Sequence, residues 1–262
     1  MGNFLPAKIT HRFQYKQTDC TIVTDLQDGI NNALSQFQSD MNVLEEFVIQ
    51  FPSWKDSYYP IHSTSLNQKN SVMELMEEDA ELCKVGPMAA VAGALADRMC
   101  AAMLRLPDLG IAVVENGGEI AIQSKEEILI GLMVLSTSLQ SQIGFKYAGT
   151  FQPFAVATSS ATFGHADSLG EGDAVVVFTK RASLADAAAT YICNHVRGTT
   201  PEKAIQKGLK AYGDVPQLDG VLIVKDNLIG QHGSLPALIR IKDEENLLLR
   251  KKIEKKEDYF PK

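Results

Sequence analysis

Asp186 and Thr190 stand four residues apart in the segment Ala185-Asp186-Ala187-Ala188-Ala189-Thr190. On a helix, that spacing puts both side chains on one face, where they can converge on a single point. A carboxylate beside a hydroxyl suits a hard divalent cation, Mg²⁺ or Ca²⁺, and a helix start nearby favours an anion such as a phosphate. The same residues also suit a plainer role. Ser183 reads as an N-cap with Asp186 three residues on, as in a capping box, which would leave Thr190 to pack.

Two further segments could serve a ligand. Asn116-Gly117-Gly118-Glu119 lies between two strand-like runs, and paired glycines let a ligand approach the backbone; Asn-Gly is equally a leading hairpin dipeptide. Residues 156–173 are dense in Ser, Thr and Gly, and Thr158, Ser159 and Ser160 could offer hydroxyls to a phosphate. His165 in that segment could move a proton near neutral pH, and long loops in compact domains are often functional. No GxSxG, GxGxxG or GxxxxGK[ST] pattern occurs, so a serine hydrolase elbow, a Rossmann site and a P-loop are not supported.

The elements that must position these residues follow from periodicity. Residues 8–25 read as two short strands with a turn near Thr18-Asp19. Ile30, Leu34, Phe37, Met41, Leu44 and Phe47 recur at helical spacing between Leu26 and Gln50. Residues 52–70 are polar and turn-rich. Gly86-Pro87 opens a helix rich in Ala and Met, since proline at the first helical position loses no hydrogen bond. Strands are expected at GIAVVEN, EIAIQ, ILIGLMVLS (129–137), FAVATSS (154–160) and DAVVVFTK (173–180). Helices then start at Ser183 and after the Thr200-Pro201 cap. The chain closes with GVLIVKD and ALIRI, joined by a turn around Asp226-Asn227. This order predicts an α/β (α+β) domain with a mixed, mainly antiparallel sheet flanked by helices.

Composition narrows the function classes. The 262 residues carry 45% apolar side chains and a net charge of -7, which fits one soluble domain and argues against nucleic-acid binding, since no concentrated basic face is present. The one basic run, 250–256, alternates with acids in a charged C-terminal segment of about 242–262. The apolar stretch from Pro87 to Leu106 is broken by Asp97 and Arg98, which argues against a membrane span. No signal-peptide pattern is visible. Cys20, Cys83, Cys100 and Cys193 are not spaced for zinc or for a disulfide framework, so reduced thiols in a cytoplasm are expected. Strands that need covering point to a homodimer.

Taken in order, AGALAD (92–97), ENGGEI (115–120), VATSS (156–160), GH (164–165) and LADAAAT (184–190) resemble the signature segments of the ApbE superfamily, which includes the flavin transferases. The resemblance covers roughly residues 85–200, the motif-bearing core of a single domain spanning 1–262, and is greatest to a shorter ApbE-like branch of archaea and anaerobic bacteria. It implies a T-fold-like architecture. It also implies that Asp186 and Thr190 hold the cation, helped by a backbone carbonyl near Val91, and that Asp97, Asn116 to Glu119 and Thr158 to Ser160 line the ligand site. A phosphate-containing ligand, FAD or FMN, and phosphoryl or FMN transfer or hydrolysis are implied with it. Departures stand beside the matches. The Lys-Gly of the transferases is Ala92-Gly93 here. The loop His-x-x-Asp-Pro-x-x-Gly becomes His165-Ala166-Asp167-Ser168-Leu169-Gly170, shorter and without proline. The branch is also associated with sulfur assimilation and homocysteine formation, which gives a second reading as a non-flavin accessory protein. In that reading Cys193 could handle sulfide; a buried helix cysteine is the plainer reading.

Overall fold

The structure is a computed structural model that describes residues 8–62, 71–132, 143–160 and 170–240. Strand β1 (Ile9–Tyr15) pairs antiparallel with β2 (Thr18–Thr24), Tyr15 opposite Thr18. The turn thus falls at Lys16-Gln17, two residues earlier than expected, with Lys16 left-handed at φ 53. Helix α1 (Gln27–Gln50) buries Ile30, Ala33, Phe37, Leu44 and Phe47 along its predicted stripe. The break after it holds a short helix, α2 (Pro52–Lys55), whose Trp54 is buried and donates its indole N–H to Glu77 at 2.7 Å.

Helix α3 (Val72–Cys83) lies just beyond the segment read as turn-rich. Its acids mask a buried face of Met73, Met76, Ala80 and Cys83, and the Ser71 hydroxyl caps it by accepting from the Glu74 amide at 3.1 Å. The proline start at Pro87 gives first a 3₁₀ turn, Pro87–Ala90, and then helix α4 (Val91–Met103).

Next come β3 (Ile111–Asn116), β4 (Glu119–Ser124), β5 (Ile128–Leu132), β6 (Ile143–Tyr147), β7 (Phe154–Ser159) and β8 (Ala174–Thr179). Helices α5 (Ala182–His195) and α6 (Pro201–Tyr212) precede β9 (Gly220–Lys225), β10 (Leu228–Gly233) and β11 (Ala237–Arg240). The expected strand 129–137 is present as β5 to Leu132; its remainder lies outside the described residues.

The fold is the expected one, a mainly antiparallel sheet flanked by helices. Eight strands run in the order β1-β2-β3-β4-β7-β8-β9-β10, and every pairing is antiparallel. One expectation fails. The strand ALIRI does not pair with GVLIVKD across Asp226-Asn227; β10 does, while β11 joins β6 and β5 in a second sheet. The strand that turns back, LIGQHG, is mostly polar and exposed, so it carries no strand pattern of its own; the short turn at Asp226-Asn227 sets its pairing.

Side chains alternate between two cores. Ile22, Val114, Ala121, Ala155, Ala157, Val175 and Ile223 meet the helices. Val113, Ile122, Val156, Phe178 and Leu222 meet the small sheet through Ile128, Ile130, Phe145 and Tyr147. Both faces of the central strands are therefore covered, which explains why β3 and β8 read as continuous apolar runs and not as an alternation. Among the described residues no helix is long and apolar enough to cross a membrane.

Phe145 is the small sheet's main anchor, fully buried and edge-on to Phe178 at 4.7 Å between ring centroids. Phe145→Ala is expected to cost about 3–5 kcal/mol of unfolding free energy, read from urea denaturation. A loss below about 1 kcal/mol would show that the small sheet is only loosely docked.

Candidate functional site

The site is built where α4 crosses α5. The contact is close because position 93 has no side chain. A Cβ there would lie 2.2 Å from the Ala182 carbonyl oxygen and 2.7 Å from the Ser183 amide nitrogen. Neither helix has a cap from its own preceding residue: Ala90 and Arg181 supply none. Each is capped by the other. Asp97 on α4 accepts from the amides of Ala182 at 2.8 Å and Ser183 at 2.9 Å. Asp186 on α5 accepts from the Gly93 amide at 3.0 Å. These N–H groups lie in first turns, which have no intrahelical acceptor, and each carboxylate also meets the positive end of a helix dipole.

The expected capping box therefore does not form. Helix α5 starts at Ala182, one residue before the predicted cap, and Ser183 is fully buried with its hydroxyl donating to Asp79. Asp186 does cap a helix, but it is α4. Asp79 on α3 is also bonded by Arg181 and is fully buried. Burial raises its carboxyl pKa against the lowering effect of Ser183 and Arg181. This buttress was not legible in sequence, because α3 shares no motif with α5.

Along α5, residues 187–189 are buried, while Asp186 and Thr190 are partly exposed. That is the face the spacing predicted. Val91 opens α4 on the same side of the crossing. Asn116, at the end of β3, is buried and donates its side-chain amide to the Ala92 carbonyl at 3.0 Å. Gly117 and Gly118 form the two-residue turn at φ 69 and φ 120, with Asn116 opposite Glu119. Glu119 is buried on the helix-facing side, in register with Asn116.

Pairing of Ile120 with Val156 brings the end of β7 beside this turn. Alternation then sorts its hydroxyls. Ser159 follows Ala155 and Ala157 on the helix side, whereas Thr158 follows Val156 toward the small sheet. Among the described residues, the Ser159 hydroxyl is a buried oxygen with no hydrogen-bond partner. Ser160 is half-buried at the strand end. The structure thus gathers Val91, Asn116 to Glu119, Ser159, Asp186 and Thr190 at one end of the sheet. Thr158 faces the other layer, and Asp97 lies one helical turn away with both oxygens on α5. His165 lies outside the described residues.

No group of three or more His, Cys, Asp and Glu side chains that could hold a metal occurs among the described residues. The expected cation site has a different make-up: one carboxylate, one hydroxyl and a backbone carbonyl. All four cysteines are buried, and none forms a disulfide among the described residues. Burial pushes the Cys100 thiol up to about 12 and raises those of Cys20 and Cys83 further. Cys193 is fully enclosed in the core.

Solved structures share this architecture. It aligns with the apo form of the flavinyl transferase ApbE of Pseudomonas stutzeri at a TM-score of 0.56 and 13% identity, over 89% of this chain and 96% of that one. It aligns with the ApbE protein of Thermotoga maritima at 0.52 and 14% identity, over 90% and 97%. The fold is therefore that of the ApbE proteins. In sequence, the chain is 33% identical to a UPF0280 protein of Methanocaldococcus jannaschii over 87% of this chain and 92% of that protein. It is 34% identical to another of Methanopyrus kandleri, over 88% and 93%. The family described as "AbpE bacteria" matches residues 3–214. The chain belongs to this ApbE-like family, in the branch that includes the archaeal UPF0280 proteins.

Burial pushes the Asp97 carboxyl up to about 6, although the Ser183 and Ala182 amides act to lower it. The folded state thus holds this proton more tightly than an unfolded chain titrating near 3.8. The associated stability is complete below that value and is lost as pH rises through about 6. Urea midpoints should show that fall between about pH 4 and 7, with a smaller fall in Asp97→Asn. Equal slopes would remove Asp97 as its source.

Proposed function

We propose that this chain binds a divalent cation, Mg²⁺ or Ca²⁺, with a phosphate-containing ligand of the flavin type, FAD or FMN. We propose further that it acts on that ligand by phosphoryl or FMN transfer, or by hydrolysis. The observation that carries this reading is the gathering of Asp186, Thr190, Asn116, Glu119 and Ser159 at one end of the sheet, beside the start of α4. Family membership supports it, as does a fold shared with a flavinyl transferase.

The residues fit such a ligand in three respects. Carboxylate, hydroxyl and carbonyl oxygens are the donors that hard divalent cations take. The buried Ser159 hydroxyl has a hydrogen bond to give. The Gly117-Gly118 turn has no side chain to hold a phosphate or a flat ring away from the backbone.

Asp186 and Thr190, with the Val91 carbonyl, would hold the cation. Asn116, Glu119, Ser159 and Ser160 would orient the ligand, and the Gly117 and Gly118 backbone would receive it. Thr158 and Asp97 would act from behind, Thr158 through the strand and Asp97 by fixing α5. A bound cation supplies charge neutralisation at phosphorus. Attack on the flavin-side phosphorus by water or a target hydroxyl breaks the pyrophosphate bond and releases AMP. His165 would take the nucleophile's proton.

Ala92 stands where the transferases usually carry lysine, so charge on a phosphate must be met mainly by the cation. Dependence on the metal should accordingly be steep. Purified protein with FAD and Mg²⁺ is expected to release AMP or to label a target protein with FMN, by chromatography or in-gel fluorescence. Asp186→Ala should lower that rate at least about 100-fold, the scale for loss of a charge-stabilising group. Absence of both products in the wild type, or an unchanged rate in Asp186→Ala, would falsify this reading.

A further inference from the structure

Strand β10 closes the eight-stranded sheet, and among the described residues no strand pairs with its outer side. The two-residue turn Asp226-Asn227 joins it to β9, which makes Leu228 and Lys225 a hydrogen-bonded pair. The Ser234 amide donates to the Asp219 carbonyl, which gives the same alternation from the other end. Leu228, Gly230 and His232 therefore direct their backbone groups to β9. Ile229 and Gln231 point theirs outward.

Sheet edges are normally guarded by charge, proline or a bulge. The opposite edge, β1, presents Arg12. β10 holds no Asp, Glu, Lys or Arg and runs in unbroken register along β9. It also borders an open apolar layer. Leu238 lies opposite Phe145, so both point between the two sheets, and Ile229 lies opposite Val224 on the facing side. Phe145 and Val224 are fully buried, whereas Ile229 is 45% and Leu238 51% exposed. On the other face, α6 lies over β9 and β10, so close that a Cβ at Gly230 would sit 2.2 Å from Ile205. One flank of α6 turns to Val196 and Ile192 through Gly208. The flank away from α5 carries Glu202, Gln206 and Leu209, while Lys203, Lys207 and Lys210 project elsewhere around the helix.

We propose that this edge is the interface between two copies of this chain, joined antiparallel about a two-fold axis at Gly230 into one continuous sheet. The Ile229 amide then donates to the carbonyl of the partner's Gln231, and the Gln231 amide to the carbonyl of the partner's Ile229. Symmetry repeats both bonds. Leu228 comes beside the partner's His232, and no like charges meet along the strand. Because α6 sits between β9 and β10, the axis sets it about 10 Å from its copy, the spacing of packed helices, with Gln206 and Leu209 between them. A strand from an unrelated protein would satisfy the backbone but leave the α6 flank and the layer at Ile229 and Leu238 uncovered; a second copy brings a match for each. The residues beyond Arg240 are dense in charge, which an uncharged edge does not select.

The test is sedimentation equilibrium of the full chain, with hydrogen exchange of its backbone amides. A dimer that dissociates in the micromolar range or below is expected, with the Ile229 and Gln231 amides slowed in step with the dimer fraction. Gln231→Pro removes an outward N–H and leaves the β9 pairing intact. Ile229→Lys sets a guarding charge on the edge. Each should raise the dissociation constant at least about 100-fold, while far-UV dichroism stays that of the wild type. Thr10→Lys, on β1, should change nothing. A monomer at every concentration, or a dimer that survives both variants, would overturn the proposal. Free exchange of the two amides in the dimer would do the same. So would their protection in a monomer, since another segment of this chain would then cover the edge.

Discussion

The close crossing of α4 and α5 is the contact on which the rest depends. Two helix backbones can come this near only where one has no Cβ, and Gly93 supplies that position against Ala182 and Ser183. Once they are that near, a carboxylate four residues further along α4 reaches the first amides of α5. A carboxylate one turn along α5 reaches a first-turn amide of α4. The caps are reciprocal, so neither helix start is satisfied unless the other is in place. That makes the crossing a cooperative unit, and it fixes where Asp186 and Thr190 can be.

The surrounding layers hold this unit still. α3 approaches α5 through a fully buried Asp79 bonded to Arg181 and Ser183. Removing a charge from water is costly unless its partners are well placed, so that cluster specifies one arrangement of three helices more than it adds stability. α1 is tied to α4 by Asp40 accepting from Arg98 at 2.7 Å. Beneath, the sheet is rigid because both of its faces are covered, one by helices and one by the small sheet around Phe145.

The proposed function uses the end of the sheet at Asn116 and Asp186. It also gives Asp186 two duties: a first-turn cap on α4, shown by the Gly93 contact, and the proposed cation ligand. The two are compatible, since a carboxylate can accept from an amide and coordinate at once. The Ala92 carbonyl, which Asn116 grips, ties the end of β3 to the start of α4.

Much was legible in the sequence because it is a local property. The spacing of Asp186 and Thr190, the Asn116 to Glu119 hairpin, the α1 stripe and the strand identities follow from the 3.6 and 2.0 periodicities and from turn chemistry. The ordered motifs named the family for the same reason. What only the tertiary structure decided is which groups face each other across long separations. Asp186 capping α4, Asp97 capping α5, Asp79 under Ser183, and β11 leaving β9 for β6 each join segments far apart in the chain. Ser159 and not Thr158 joins Asn116, because register sets the face. Periodicity describes one element at a time. A cap supplied from another helix leaves no trace in the residues before the helix it caps, so the capping box was the natural expectation from the sequence and the reciprocal caps were invisible in it.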